Sequence, residues 1–327
     1  MHRIILDTDP GVDDAMAIAF ALCHPEIELV ALTTVFGNTS VELATRNARY
    51  ALDTFGARDV AVARGAAVPS VQPPLPHPDF VHGADGLGNV HPGADVALSD
   101  TARHARVETA DAADFIVETA RARPGELVLV AVGPLTNVAE ALRREPELPA
   151  LVRELVVMGG TLDEPGNVSP VAEANFWNDP HAADAVLGGD WPATVVGLDV
   201  THRVMLADED LARLRDGAGA TGDLVWRSSR FYVDFYTRRA GGERRGAMHD
   251  AAALVHVVEP DAFERVGGGA RVVPDGIAVG QLVLDRLGHD YPLRHWAARP
   301  TTAVCTAVDA TRVRECFLET IVRHHRR

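Results

Sequence analysis

The sequence predicts an α/β protein built on an open, mostly parallel sheet flanked by helices, with a mostly helical later segment and a small C-terminal hairpin. Three observations predict it. Short β-branched runs alternate with longer helix-like segments. The apolar runs show no polar alternation, as expected of strands covered on both faces by crossover helices. No internal repeat or low-complexity linker divides the chain, so residues 1–327 read as one elaborated domain.

Taken in order, Arg3-Ile4-Ile5-Leu6 is the first strand and Asp13–Cys23 the first helix; Glu28–Val35 is the second strand and Ser40–Phe55 the second helix. The rhythm returns with a strand at Leu127–Val132, a helix at Leu135–Arg144, a strand at Leu155–Met158, a helix at Pro180–Leu187 and a strand at Thr194–Leu198. Two loops interrupt it, one from about Ala66 to Asp100, rich in Pro, Gly and His, and one from about Gly159 to Asn178. Loops this long inside a compact domain are usually functional or disordered. Leu206–Val258 reads mostly helical, and Arg271–Arg286 resembles a hairpin around Pro274-Asp275-Gly276. A last strand at Ala303–Val308 and a C-terminal helix close the chain.

The 327 residues carry 31 basic and 46 acidic side chains, a formal net charge of −15. Such a chain repels a phosphate backbone, and the short Arg323-His324-His325-Arg326-Arg327 tail is its one basic run, so nucleic acid is not the expected partner. Lysine is absent, which excludes Schiff-base chemistry, the lysine-bearing P-loop and the usual protein-kinase motifs. Cys23, Cys305 and Cys316 are odd in number and widely spaced, unlike a zinc site or a disulfide scaffold, and favour a reducing cytoplasm. No apolar run is long enough to span a membrane, and no signal peptide precedes the first strand, so the mature chain is expected to begin at residue 1.

Chemistry concentrates in Asp7-Thr8-Asp9-Pro10-Gly11-Val12-Asp13-Asp14, where a strand ends in four carboxylates before a helix. Asp13 and Asp14 fall in the first turn, at the positive end of the helix dipole. Four acids this close raise one another's pKa, and a bound cation would compensate them. Hard oxygen donors without Cys or His point to Ca²⁺ or Mg²⁺ rather than zinc. The plainer alternative is an N-cap by Asp9 with the other acids solvated. Further polar residues stand beyond the carboxyl ends of predicted strands, where an open α/β sheet binds ligands: Asn38, Gly133, Gly159-Gly160, Asn167, Glu173 and Asn175. His249, beside Asp250, opens an alanine-rich helix, and His82 lies in a Gly-rich loop that is able to close over a site; either suits proton donation near neutral pH. The Gly83–Gly88 cluster lacks the spacing of a dinucleotide fingerprint.

This constellation resembles the inosine/uridine-preferring nucleoside hydrolase family, whose hallmark D-x-D-P-G-x-D-D reads here as Asp7 to Asp14. The resemblance continues in order through Thr33 to Asn38, His82-Gly83, Gly133 to Asn137, Met158 to Gly160, Gly166-Asn167, Glu173-x-Asn175, Asp179-Pro180, Gly197 to His202 and His249-Asp250. It implies a Rossmann-like nucleoside hydrolase fold and hydrolysis of the N-glycosidic bond of ribonucleosides. It further implies one Ca²⁺ held by Asp9, Asp14, Asp250 and the Val132 carbonyl, with a calcium-bound water as nucleophile and Asp9 as its base. Asp13, Asn38, Asn167, Glu173 and Asn175 would bind the ribose, with Met158 packing nearby. Tyr232 and Tyr236 fall where the family often places aromatics over the base, and His249, then His82, would protonate the leaving base. The family's usual assembly implies a homodimer or homotetramer of a cytoplasmic salvage enzyme.

One departure is Ala174, where members commonly carry Phe between the loop Glu and Asn, which leaves base preference open. Two rivals are weighed. An apolar strand ending in Asp7-x-Asp9 imitates a haloacid-dehalogenase-type phosphohydrolase, although Gly11 replaces the Thr or Val of that motif and no lysine is available for phosphate. A non-catalytic, calcium-dependent ribosyl-binding protein would keep the pocket, but would be free to lose metal ligands and proton donors that are all present.

Overall fold

A computed structural model describes residues 1–90, 108, 110–240, 242–292, 294–296 and 299–326. The first half comprises β1 (His2–Thr8), α1 (Val12–Cys23), β2 (Ile27–Thr34), α2 (Val41–Thr54), β3 (Ala61–Arg64), α3 (Asp79–His82), α4 (Ala112–Ala122), β4 (Leu127–Ala131) and α5 (Thr136–Arg144). It continues with α6 (Leu148–Leu151), β5 (Val152–Met158), α7 (Ala174–Asn178), α8 (Pro180–Val186), β6 (Ala193–Val196) and α9 (Leu198–Thr201). The later segment holds β7 (Met205–Ala207), α10 (Asp208–Gly217), α11 (Gly219–Ala240), β8 (Arg245–Ala247), α12 (His249–Val258), β9 (Phe263–Val272), β10 (Leu282–Asp285), β11 (Thr301–Val308) and α13 (Ala310–His324).

Nine strands form one sheet in the order β10-β9-β11-β6-β5-β4-β1-β2-β3, parallel from β11 to β3, with β9 antiparallel to both its neighbours. Alternating side chains explain why the predicted strands are apolar without interruption. Ile4, Leu6, Val128, Val130 and Val156 enter one buried cluster with α1, α12 and α13, while Ile5, Leu127, Leu129, Leu155 and Val157 enter the other with α4, α5 and α8. β1 lies between β4 and β2, so the chain leaves it first toward one edge and later toward the other. A crevice at the carboxyl ends follows from that reversal of strand order.

The structure departs from the sequence reading at several elements. β3 and α4 fall in or beside segments read as loop, and α3 adds one turn within Ala66–Asp100, of which residues 91–100 lie outside the described residues, as does Arg327 of the basic tail. The segment read as helical is broken by the β7–β8 ribbon, whose three-residue strands carry no periodic signal. The hairpin is real but begins at Phe263, because Gly267, Gly268 and Gly269 mask the strand that pairs with β11. The strand read through Leu198 stops at Val196, and Gly197 caps α9. Among the described residues no helix is long and apolar enough to cross a membrane.

Candidate active site

β1 ends at Thr8, and Asp9-Pro10-Gly11 turns the chain into α1. The cap is Gly11, not Asp9 as the plainer alternative required: the Gly11 N–H donates to Asp14 Oδ2 at 2.8 Å, and the Asp9 N–H to Asp14 Oδ1 at 3.2 Å. The Thr8 hydroxyl also donates to Asp14. Glycine is required at 11, since a Cβ there would stand 2.6 Å from His82 Nδ1 and 2.8 Å from Asn38 Nδ2. Asp9 is pinned by the Asn38 N–H, which donates to its Oδ2 at 2.6 Å, between two glycines whose Cβ atoms would meet it at 2.0 Å (Gly37) and 2.7 Å (Gly133).

The acids are dry. Asp9, Asp13, Asp14 and Asp250 are all buried, and Asp13, Asp14 and Asp250 bring ligand atoms within 4.8 Å of one another. Burial raises all four pKa values, most strongly for Asp9, Asp13 and Asp250, where neighbouring carboxylates add to it; in Asp14, hydrogen bonds led by Thr8 oppose it. Asp9 Oδ1, Asp13 Oδ1 and Asp250 Oδ2 are buried without a hydrogen-bond partner. Among the described residues no arginine pairs with this group, and His82, 3.9 Å from Asp13, is neutral because burial pushes its pKa down to about 3. Unpartnered hard oxygens in a water-poor site fit a divalent cation, which would neutralise charge that nothing else offsets.

A cavity of about 140 Å³ opens above the acids. It is lined by all the predicted residues except Asp9 and Asp14, which Asn38 covers, its side-chain amide donating to Asp14 Oδ2 at 3.1 Å. On one wall Glu173 caps α7: its Oε1 accepts from the Asn175 N–H at 2.8 Å and its Oε2 from the Gly160 N–H at 2.8 Å. Burial outweighs those bonds and moves its pKa up to about 7. Asn175 Nδ2 donates to the Val132 carbonyl at 2.7 Å and to the Met158 carbonyl at 3.2 Å, while Asn167 Oδ1 is buried and unpartnered.

On the facing wall, His249 lies between two hydroxyls, with Thr201 Oγ1 2.7 Å from Nδ1 and the Tyr236 hydroxyl 2.7 Å from Nε2. Its burial, then His202 and His82, lower its pKa well below the ordinary histidine value, so the ring is neutral, one nitrogen donating and the other accepting. Tyr232 packs on His82 with ring centroids 5.6 Å apart, and its hydroxyl donates to that of Tyr236 at 3.5 Å. His82 Nδ1 accepts from the Val12 N–H at 3.2 Å. Sequence reasoning missed Phe80, Val168 and Phe235, which complete the apolar mouth; Phe80 and Phe235 stand 5.9 Å apart and Phe80 is 67% exposed. Their signal was proximity alone, two residues before His82 and one before Tyr236.

A mostly parallel α/β sheet whose carboxyl edge gathers buried acids under a small pocket, amide-walled on one side and aromatic on the other, has the class of site in which such folds bind a small polar ligand. The profile of the inosine-uridine preferring nucleoside hydrolases matches residues 4–315, and the chain belongs to that family. It is 40% identical to uridine nucleosidase 1 of Arabidopsis thaliana over 286 residues, 87% of this chain and 82% of that one. A plant nucleoside hydrolase structure superposes with a TM-score of 0.90 at 34% identity, covering 98% of this chain and 99% of that one. A purine-preferring ribonucleoside hydrolase from Gardnerella vaginalis does so with a TM-score of 0.87 at 30% identity, covering 99% of both. The chain is therefore an enzyme that hydrolyses ribonucleosides, and the phosphohydrolase and binding-protein alternatives are set aside.

Proposed function

We propose that this nucleoside hydrolase works with a calcium ion held by Asp9, Asp14, Asp250 and the Val132 carbonyl, and that its cavity divides into a ribose half and a base half. The observation that carries the proposal is the pair of buried carboxylate oxygens without partners on two of these ligands, Asp9 Oδ1 and Asp250 Oδ2, with Asp14 bringing a ligand atom within 4.8 Å of Asp250. When bound, a divalent cation supplies positive charge that acidifies water and draws the ribose hydroxyls.

The chain's own groups do the rest. Asp9 keeps Oδ1 free while the Asn38 amide occupies Oδ2, which leaves an oxygen to take a proton from the attacking water. Asn38, Asn167 and Asn175 orient the ribose, and the carboxylates of Asp13 and Glu173 face the positive charge that develops on the ribosyl carbon as the N-glycosidic bond breaks. His249, neutral and with Tyr236 on its Nε2, offers a hydrogen bond to the departing base. Phe80, Phe235 and Tyr236 offer faces that stack on purines and pyrimidines alike.

Uridine leads the test because the relative at 40% identity is named for it. Release of base and ribose is measured from uridine, inosine, cytidine, adenosine and p-nitrophenyl riboside, with calcium, after chelation, and after adding magnesium instead. Calcium-restored turnover is expected, with Asp250→Ala losing both turnover and calcium binding by calorimetry. Full turnover in the chelated enzyme would remove the metal from the mechanism. The family resemblance also supports a cytoplasmic homodimer or homotetramer, which sedimentation of the purified protein would count.

A further inference from the structure

The segment Gly197-Leu198-Asp199-Val200-Thr201-His202 follows β6 and forms the short turn α9, yet none of the roles above falls to it. Of its three polar side chains, His202 meets the His249 ring edge-on with centroids 5.5 Å apart, and Asp199 and Thr201 reach in different directions. Asp199, buried at 2% exposure, accepts from the Leu162 N–H at 2.8 Å through Oδ2, and from the Asp163 N–H at 2.7 Å and the Glu164 N–H at 3.1 Å through Oδ1. The Thr161 hydroxyl stands 3.4 Å from the same carboxylate. Three successive amides at the start of the 159–178 loop thus converge on one charge, three residues before Asn167. Thr201, fully buried, holds His249 Nδ1 at 2.7 Å from the opposite wall of the cavity.

We infer that α9 is a common mount for both halves of the site, with Asp199 positioning the ribose-binding loop and Thr201 positioning the leaving-group histidine. Both are positioning residues, and the inference rests on the division of the cavity proposed above. The turn is stiff enough to act as a mount, since Leu198 and Val200 are fully buried, the Thr201 N–H donates to the Gly197 carbonyl at 3.1 Å, and the Leu198 N–H ties α9 to the Gly160 carbonyl at 3.0 Å. The buried Glu173 carboxylate joins the loop's own ends, Gly160 to Asn175, and among the described residues the ion pairs at its start, Asp163–Arg286 and Glu164–Arg203, are exposed, so at that start Asp199 is the buried charged tie to the rest of the fold. Exposed pairs contribute little, whereas hydrogen bonds to a buried charge contribute more, so Asp199 is the anchor that sets the loop. A loop without it would be ordered only at the expense of substrate binding. An imidazole without Thr201 would lose one of the two hydroxyl contacts that fix its plane.

The two roles leave different kinetic signatures, read with inosine and with p-nitrophenyl riboside, whose leaving group needs no proton. Asp199→Asn is expected to raise KM on both substrates by about tenfold or more, and to weaken a non-hydrolysable ribosyl analogue to the same extent, without changing the kcat ratio of the two. Thr201→Val is expected to lower kcat on inosine by about tenfold while sparing p-nitrophenyl riboside and KM, and Thr201→Ser to restore it. An equal loss of kcat by both variants on both substrates would overturn the inference. Hydrogen exchange of the unsubstituted enzyme judges the anchor even if Asp199→Asn fails to fold: the amides of Leu162, Asp163 and Glu164 should be protected like core strands, and exchange at open-loop rates would refute it. If the unsubstituted enzyme releases no base from any riboside, the reading of the cavity fails instead, and the exchange result still decides the anchor.

Discussion

Gly37 shows how tightly single residues fix the site. A Cβ at this position would lie 2.0 Å from Asp9 Oδ2, far inside any real contact, and φ is +156°. Gly37→Ala should therefore push Asp9 off the Asn38 amide and lower kcat by about a hundredfold, an effect of about 3 kcal/mol on the barrier. Steady-state kinetics would measure it, and near-normal kcat would mean that Asp9 is not the base. His82 makes a second prediction. Burial moves its pKa from 6.5 to about 3, so the folded protein binds fewer protons than the unfolded chain between those values. Its stabilising contribution is complete above pH 6.5 and is lost as pH falls toward 3, by about 5 kcal/mol in the limit. His82→Gln should flatten the decline in urea midpoint between pH 6.5 and 4. Asp9 and Asp14 were legible in the sequence because charges at the end of an apolar strand have no ordinary place in a core, and His82 because it stands beside a Gly-rich run. Phe80, Phe235 and Thr201 were not, because an aromatic or a threonine is equally at home in packing.

At the scale of elements, α1 joins the two functions of the fold. Its first turn holds Asp13 and Asp14 at the positive end of the helix dipole, and the rest of the helix is buried through Ala21. Phe20, two turns from the acids, is fully buried and stacks on Phe317 of α13 with centroids 6.1 Å apart. Phe20→Ala should reduce unfolding free energy by about 4 kcal/mol. Calcium affinity by calorimetry should stay unchanged in the folded fraction; a parallel loss would mean that helix packing, rather than the Asp9–Asp14 turn, sets the metal site. The same burial made the central strands readable, since β1, β4 and β5 feed both cores and so run apolar without alternation. β3 was unreadable for the opposite reason: it is a four-residue edge strand ending in an exposed Arg64. α4 turns Ala112, Ala113, Ile116, Val117 and Ala120 inward, but a stripe made largely of alanine gives little contrast with its surroundings.

At the scale of the whole molecule, the metal-free protein carries an electrostatic burden that pH must expose. Asp9, Asp13 and Asp250 have folded pKa values raised well above 3.8, and Glu173 is raised from 4.5 to about 7. For each, the folded state holds a proton that the unfolded chain releases earlier. Stability is therefore greatest below the unfolded pKa and is lost as pH rises through the folded one, by about 3 kcal/mol for Glu173 alone. The buried histidines act in the reverse sense but are neutral in both states well above pH 6.5, so from pH 7 upward the carboxylates set the slope, joined near pH 9 by Cys23, Cys305 and Cys316, whose thiols burial pushes up to about 12, 12 and 11. A cation at these oxygens replaces the protons: it stabilises only the folded state, and its apparent affinity rises as competing protons leave. The melting temperature in chelator should accordingly fall between pH 6 and pH 9, that in millimolar calcium should change far less, and the gap between the two curves should widen with pH. A gap that is constant or narrows would place the ion outside this cluster, because a site made of other ligands would not compete with the protons of Asp9, Asp14 and Asp250.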